Sequence, residues 1–477
     1  MQTTSPPASA SSAGLAPRRV RRRALLAGWC MLASAVLATA SATTPPIPGM
    51  TRAQLDPGYW IARLDAPDAP ILDRAGIAKQ NAAMRRDDPS IHDVLALPDT
   101  LDRATVARWI GGVSARPTQA RYDVDGRLLD AAALDRLVAD VDLAALPASP
   151  VPRFGLVVRR ADLRAFPTRA RVFSRPDDAD IDRFQEDALF PGAPVAVVHA
   201  SRDGAWYFVV SERYAAWIAA TDVALGTRAA VADYAARAAR GPIVTGATAR
   251  TVFTPQAPEV SDVQLEMGVR VPALDWPGDR VLNGQIPWYG RVVELPVRTA
   301  DGGLAFAPAM LPQAADVADD ALAHTRAQLI RQAFKFLGER YGWGHAYNAR
   351  DCSGFVSEIY RSVGILLPRN TGAQATSPAL DRVAFAPTMS HDARLRLLRD
   401  TDVGDLVYIP GHVMMVIGHV DGDPWVIHDT AGTFVRGADG AIARSPLNGV
   451  VVTPLLPLLG GDGEATIDRI TSIQRVR

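Results

Sequence analysis

Cys352 lies in the stretch YGWGHAYNARDCSGFVSEIYRSVGILLPRNTGAQ, residues 341–374, behind an aromatic- and glycine-rich loop. Beyond it Phe355, Val356, Ile359, Tyr360 and Val363 recur at three- and four-residue spacings, and Gly364 stops the pattern. This predicts a short helix with Cys352 at or just before its first turn. Unpaired N–H groups and the positive end of the helix dipole favour a thiolate there, so the position is expected to depress the thiol pKa. Gly342, Gly344 and Gly354 let the backbone approach the sulfur and leave N–H groups for an oxyanion. A lone cysteine is more often a small buried hydrophobe. Here the polar flanks Asp351 and Ser353, and histidines downstream, weigh towards a nucleophile.

A thiol nucleophile needs a base. In GDLVYIPGHVMMVIGHVDGDPWVIHDT, Leu406–Ile409, His412–His419 and Trp425–His428 read as consecutive strands, with turns at Pro410–Gly411 and Asp421–Gly422–Asp423. His412 opens the middle strand and is the best candidate base, able to take the thiol proton and return it to the leaving amine. His428 is a candidate for fixing the His412 tautomer, but simple alternation does not pair them. A tight turn at 421–424 puts His428 opposite Ile417, on the other face. A one-residue bulge brings it opposite Val416, on the right face but still about 13 Å along the strand. His419 has the wrong parity, and His345, in the loop before Cys352, is a weaker base.

The run YGWG, DCSGFVSEIY, GILLPRNTGAQ, GDLVYIPGHVMMVIG and WVIHDT resembles the NlpC-type cysteine peptidases of bacterial cell walls, in particular their multidomain branch with two SH3-like domains in front. The resemblance is specific over roughly 325–430 and looser from about 50 to 310. It implies an α+β, papain-like domain with Cys352 as nucleophile, His412 as base and His428 as the residue orienting it. Tyr341 would sit by the thiol and help polarise the substrate carbonyl, with Ser353, Asn370 and Thr371 as further oxyanion or substrate contacts. The implied substrate is a peptidoglycan stem peptide or muropeptide, cut between γ-D-glutamate and the next diamino acid.

This chain departs from the family pattern at two places. Asn370 and Thr371 stand where members selecting a free peptide N-terminus carry aspartate and serine, and an amide cannot give an ammonium the charge-assisted bond of a carboxylate. His345 stands where the second glycine of WGG is usual.

The rest of the chain has to position these groups. The reading divides it into a signal peptide (1–42), an N-terminal stabilising domain (50–145), SH3-like domains (150–235 and 240–310) and the catalytic domain (320–477). Residues 18–42 carry a basic run, an apolar run and an Ala40–Ser41–Ala42 end, the parts of a secretory signal. This places the protein in the cell envelope, periplasmic, with no stable membrane span. Cleavage removes Cys30 and leaves one thiol. Helical spacing marks 70–86, 131–143 and 320–338; short aromatic-rich runs such as GAWYFVVSERYAAWI predict small β-barrels, with Trp206, Tyr207, Phe208 and Trp217 mostly in the core. Fifty-one basic residues balance 51 acidic ones, giving no electrostatic case for nucleic acid. No phosphate loop or metal-ligand set is recognisable, so neither cofactor nor metal is expected. Two alternatives stay open: a peptidoglycan amidase of the same fold, and a non-catalytic wall-binding protein.

Overall fold

The structure, a computed structural model, describes residues 45–477. The signal-peptide reading of residues 1–42 therefore falls outside the described residues. From Pro45 to Arg477 the chain forms one compact unit.

The N-terminal segment holds α1 (Pro57–Ile61), β1 (Pro70–Leu72), α2 (Arg74–Asp87), α3 (Arg103–Val113) and α4 (Ala131–Val141). An aspartate caps each helix: Asp56, Asp73, Asp102 and Asp130 accept an N–H of the first turn. The segment expected to be one domain divides its side chains between two cores. Trp60, Ile77 and Met84 join the core under the Cys352 helix, whereas Val106, Ile110 and Val141 pack with Trp217 and Phe208.

Residues 153–226 form a seven-stranded sheet: β2 (Arg153–Val157), β3 (Ala161–Arg164), β4 (Gln185–Leu189), β5 (Pro194–Ala200), β6 (Trp206–Val210), β7 (Ala215–Ala219) and β8 (Val223–Gly226), in the order 4-3-7-6-5-2-8. Trp206, Phe208 and Trp217 are buried as expected, and Tyr207 is half-buried. After α5 (Arg228–Ala238), a second β unit is built from β9 (Ile243–Val244), β10 (Thr248–Arg250), β11 (Gln264–Glu266), the long hairpin β12 (Gly290–Arg298) and β13 (Leu304–Pro312), and β14 (Val317–Ala318). Its strands pair two by two, and Val260, Leu265, Val293 and Leu311 pack in a core that Ala188 and Phe190, at the end of β4, also enter.

The C-terminal part holds β15 (His324–Thr325), α6 (Arg326–Phe334), α7 (Cys352–Ser362), α8 (Thr371–Thr376), β16 (Asp381–Ala384), α9 (His391–Arg399), β17 (Leu406–Ile409), β18 (His412–Val420), β19 (Asp423–Thr430), β20 (Thr433–Arg436), β21 (Ile442–Ser445), β22 (Gly449–Pro454) and β23 (Ser472–Arg475). Six of these strands form an antiparallel sheet in the order 16-23-17-18-19-22. The helix expected from 320 starts only at Arg326, because His324 and Thr325 pair with β1 and Thr325 becomes the N-cap. Phe355, Val356 and Ile359 of α7 pack against Met415, Ile417 and Ile427 on one face of the sheet, while Met414, Val416 and Val426 fill a core on the other.

Candidate functional site

Cys352 is the first residue of α7, and Asp351 is the N-cap whose carboxylate accepts the Gly354 N–H at 2.8 Å. The helix begins where the spacing predicts. The electrostatic consequence differs from expectation. Burial pushes the Cys352 thiol up and the neighbouring Asp351 adds to this, while the Val413 N–H, directed at the sulfur from β18, pulls the other way without cancelling it. The helix end therefore does not leave a free thiolate, and the thiol needs a base.

The histidines come from adjacent strands. His412 opens β18 opposite Ile409, and its Nε2 lies 2.8 Å from His428 Nδ1. The register explains how. Val420 pairs with Asp423, so only Asp421 and Gly422 form the turn; Gly418 then pairs with Trp425 but Val416 with Val426, leaving Ile417 as a bulge. The shorter turn slides β19 by two residues, and the bulge reverses the parity. His428 becomes level with Met414 on the face of His412, so the rings are diagonal neighbours and no 13 Å gap exists. Gly418 has φ +147°, and a Cβ there would lie 3.0 Å from the Trp60 ring. The N-terminal segment thus presses on the bulge that sets the pair.

His428 Nε2 is 3.1 Å from Thr453 Oγ1 on β22. With His428 Nε2–H donating to Thr453 and His412 Nε2–H donating to His428 Nδ1, the lone pair of His412 Nδ1 is left free to take a proton. Burial holds His412 down to about 4, partly opposed by Asp351, and holds His428 well below the usual imidazole range, with His412 adding to the effect. Both rings are neutral near pH 7. Sequence reasoning missed Thr453, since a threonine inside an apolar strand gives no local signal. It also missed Asp429, whose buried carboxyl oxygens have no hydrogen-bond partner among the described residues. Burial, then Asp351 and Glu339, push that carboxyl well above the usual range.

Tyr341, His412, His428, Thr430 and Phe434 line a groove of about 310 Å³. Burial, then the Cys352 and Asp351 charges, push the Tyr341 phenol up, so it stays a neutral donor. Ser353 points elsewhere: its hydroxyl accepts from Arg369 at 2.9 Å and meets Asp351 at 3.3 Å. Asn370 is exposed at the start of α8, with no capping bond from its side chain, and Thr371 beside it is half-buried.

His345 does not touch the groove. It is 1% exposed, with Nε2 3.1 Å from Glu358 and Nδ1 3.0 Å from both Asp187 and Arg369. Arg369 in turn holds Asp187 of β4 and, at 2.8 Å, Asp351. A buried chain of charges thus runs from the seven-stranded sheet to the cap of the cysteine helix. Burial alone would lower Arg369, but Asp187 and Asp351 raise it well above its usual value.

A cysteine at a helix entrance, set against an antiparallel sheet with a histidine pair, defines a papain-like α+β architecture. Residues 338–449 match the model of the NlpC/P60 family, and residues 171–219 match that of an SH3 domain (SH3b1 type). The chain thus carries an NlpC/P60-family domain with one SH3-type accessory domain. A probable endopeptidase of Corynebacterium glutamicum (strain R) is 32% identical over 139 residues, 29% of this chain and 64% of that protein. The probable endopeptidase p60 of Listeria welshimeri is 48% identical over 50 residues, 10% of each chain. The solved NlpC/P60 endopeptidase from Photobacterium damselae subsp. piscicida shares the fold with a TM-score of 0.67, at 16% identity over 83% of this chain and 90% of its own. Among the described residues no helix is long and apolar enough to cross a membrane, and no cluster of metal-ligating side chains occurs.

Proposed function

We propose that the protein is an exported cysteine endopeptidase that hydrolyses peptidoglycan stem peptides at the γ-D-glutamyl–diamino acid bond, with Cys352, His412 and His428 as its triad. The observation that carries this reading is the 2.8 Å contact between His412 and His428, extended to Thr453, on the sheet against which the helix headed by Cys352 packs. Neutral His412 takes the thiol proton as sulfur attacks the amide carbonyl. Backbone N–H groups of the first helical turn and the Tyr341 hydroxyl stabilise the oxyanion. His412 then protonates the departing amine, and water, deprotonated by the same ring, hydrolyses the thioester.

The second SH3-like unit expected over 240–310 corresponds in this reading to the β unit of residues 243–318, a reading supported by its pairwise strands and by a core that it shares only with Ala188 and Phe190 of the first sheet's side. Asn370, without a carboxylate, removes any strict need for a free N-terminal amine on the substrate.

Mass spectrometry of stem peptides and intact sacculi, treated with wild type or Cys352→Ala, tests the reading. A new N-terminal diamino acid made only by the wild type is expected. Release of the whole peptide from muramic acid would replace it with an amidase. Binding to sacculi without product would overturn hydrolysis altogether.

A further inference from the structure

A second cavity, of about 300 Å³, opens at the far end of α7, where the seven-stranded sheet, α5 and the second β unit meet. Arg361, in the last turn of α7, lies about 14 Å from Cys352 along the helix axis, so this cavity is separate from the groove. One part of its wall is apolar, from Phe190, Pro191, Ala238 and Val269; the other carries Arg213 and Arg361.

Neither guanidinium has an ion-pair or hydrogen-bond partner among the described residues, although the chain elsewhere pairs its buried arginines. The acids in the wall are committed to other groups: Asp187 to Arg369 and His345, and Glu212 to Arg85. Arg361 is also held in place. Its guanidinium lies 5.5 Å from the Phe190 ring, and its stem crosses Gly268, where φ is +82° and a Cβ would come within 2.5 Å of the arginine Cγ. Burial and the nearby Arg361 charge hold Arg213 down to about 9. Two like charges at one partly apolar cavity, Arg361 held in place and the nearby acids taken, make a receptor for an oxyanion.

We propose that this cavity binds a small organic anion, its carboxylate or phosphate lying between Arg213 and Arg361 and its apolar body against Phe190 and Val269. Occupancy ties the β6–β7 turn to α7, and hence the SH3-type domain to the helix bearing the cysteine. The inference does not depend on which bond the groove cuts.

Calorimetric titration of the full chain with phenyl phosphate and, separately, with N-acetylphenylalanine tests it and distinguishes the two anion types. Saturable binding of at least one, with a dissociation constant below about 10 mM, is expected, together with a rise in Tm and a loss of at least about tenfold in affinity in R213Q and in R361Q. In the wild type, the bound anion should also slow modification of Arg213 and Arg361 by an arginine-selective dicarbonyl, mapped by peptide mass; this arm needs no variant to fold. Absence of saturable binding, equal binding by the variants, or no protection of the two arginines overturns the proposal.

Discussion

Burial pushes the Cys352 thiol up and holds the His412 imidazole down to about 4, so the proposed pair rests uncharged near pH 7. Such a pair works by proton transfer during attack, not from a standing thiolate–imidazolium pair, and its acid limit is the protonation of His412. We expect kcat/KM to stay flat from neutral pH down to about 5 and to fall as pH drops through about 4. An acid limb centred at 6.5 or higher in the pH–rate profile would reject this assignment. Thr453 supplies the outermost bond of the chain through His428. Thr453→Val removes a hydrogen bond worth about 1–1.5 kcal/mol, so kcat should fall about tenfold with KM unchanged, since Thr453 acts on the base through His428. A change confined to KM would instead make Thr453 part of the substrate site.

Among the elements, α7 was legible from local spacing, whereas the histidine pair was legible only through the family resemblance and not from strand alternation. The helix declares itself through local spacing, and an N-capping aspartate and a glycine stop lie within the same fifteen residues. The pair depends on two choices with no local signature, a turn made by Asp421 and Gly422 alone and a bulge at Ile417. The second is backed by Trp60, which is more than three hundred residues away in sequence. For the same reason His345 looked like a loop residue, its partners Asp187, Glu358 and Arg369 being assembled only by the fold. Gly354 lies in the first turn of α7, and a Cβ there would sit 2.4 Å from His345 Cε1. Because that ring is fixed by its ionic neighbours, Gly354→Ala should cost about 1–3 kcal/mol in urea unfolding through overpacking. A neutral or stabilising effect would mean that the first turn has room the structure does not show.

Over the whole molecule, stability is tied to buried charge. Burial alone would raise Glu358, but Arg350 and then His345 bring it to about 2, and Arg369 and His345 likewise hold Asp187 far below its usual value. Because these folded-state pKa values are depressed, their stabilisation is present above about pH 4.5 and is lost as pH falls through the folded values. His324 works in a higher window. Its ring is buried without a partner among the described residues and burial lowers it to about 4, so the unfolded chain binds the extra proton between 6.5 and 4 and stability declines across that range. The unfolding free energy should therefore fall in two steps on acidification; buried His412 and His428 contribute to the upper one as well, so His324→Leu should shrink it without abolishing it. Asp187→Asn should cost about 3–5 kcal/mol, since it leaves Arg369 with less compensation in a dry site; a cost below about 1 kcal/mol would show the ion chain to be dispensable.

The Asp187–Arg369 contact also bears on how such a gene can be rearranged. A recombinant fragment starting near Arg326 would keep Asp351 and Glu358 but lose Asp187, the carboxylate shared by the Arg369 guanidinium and the His345 imidazole. Shuffling the peptidase segment onto a different partner therefore requires a replacement carboxylate at one spot, and a protease nick between the two parts should yield pieces that stay together until acid or denaturant separates them.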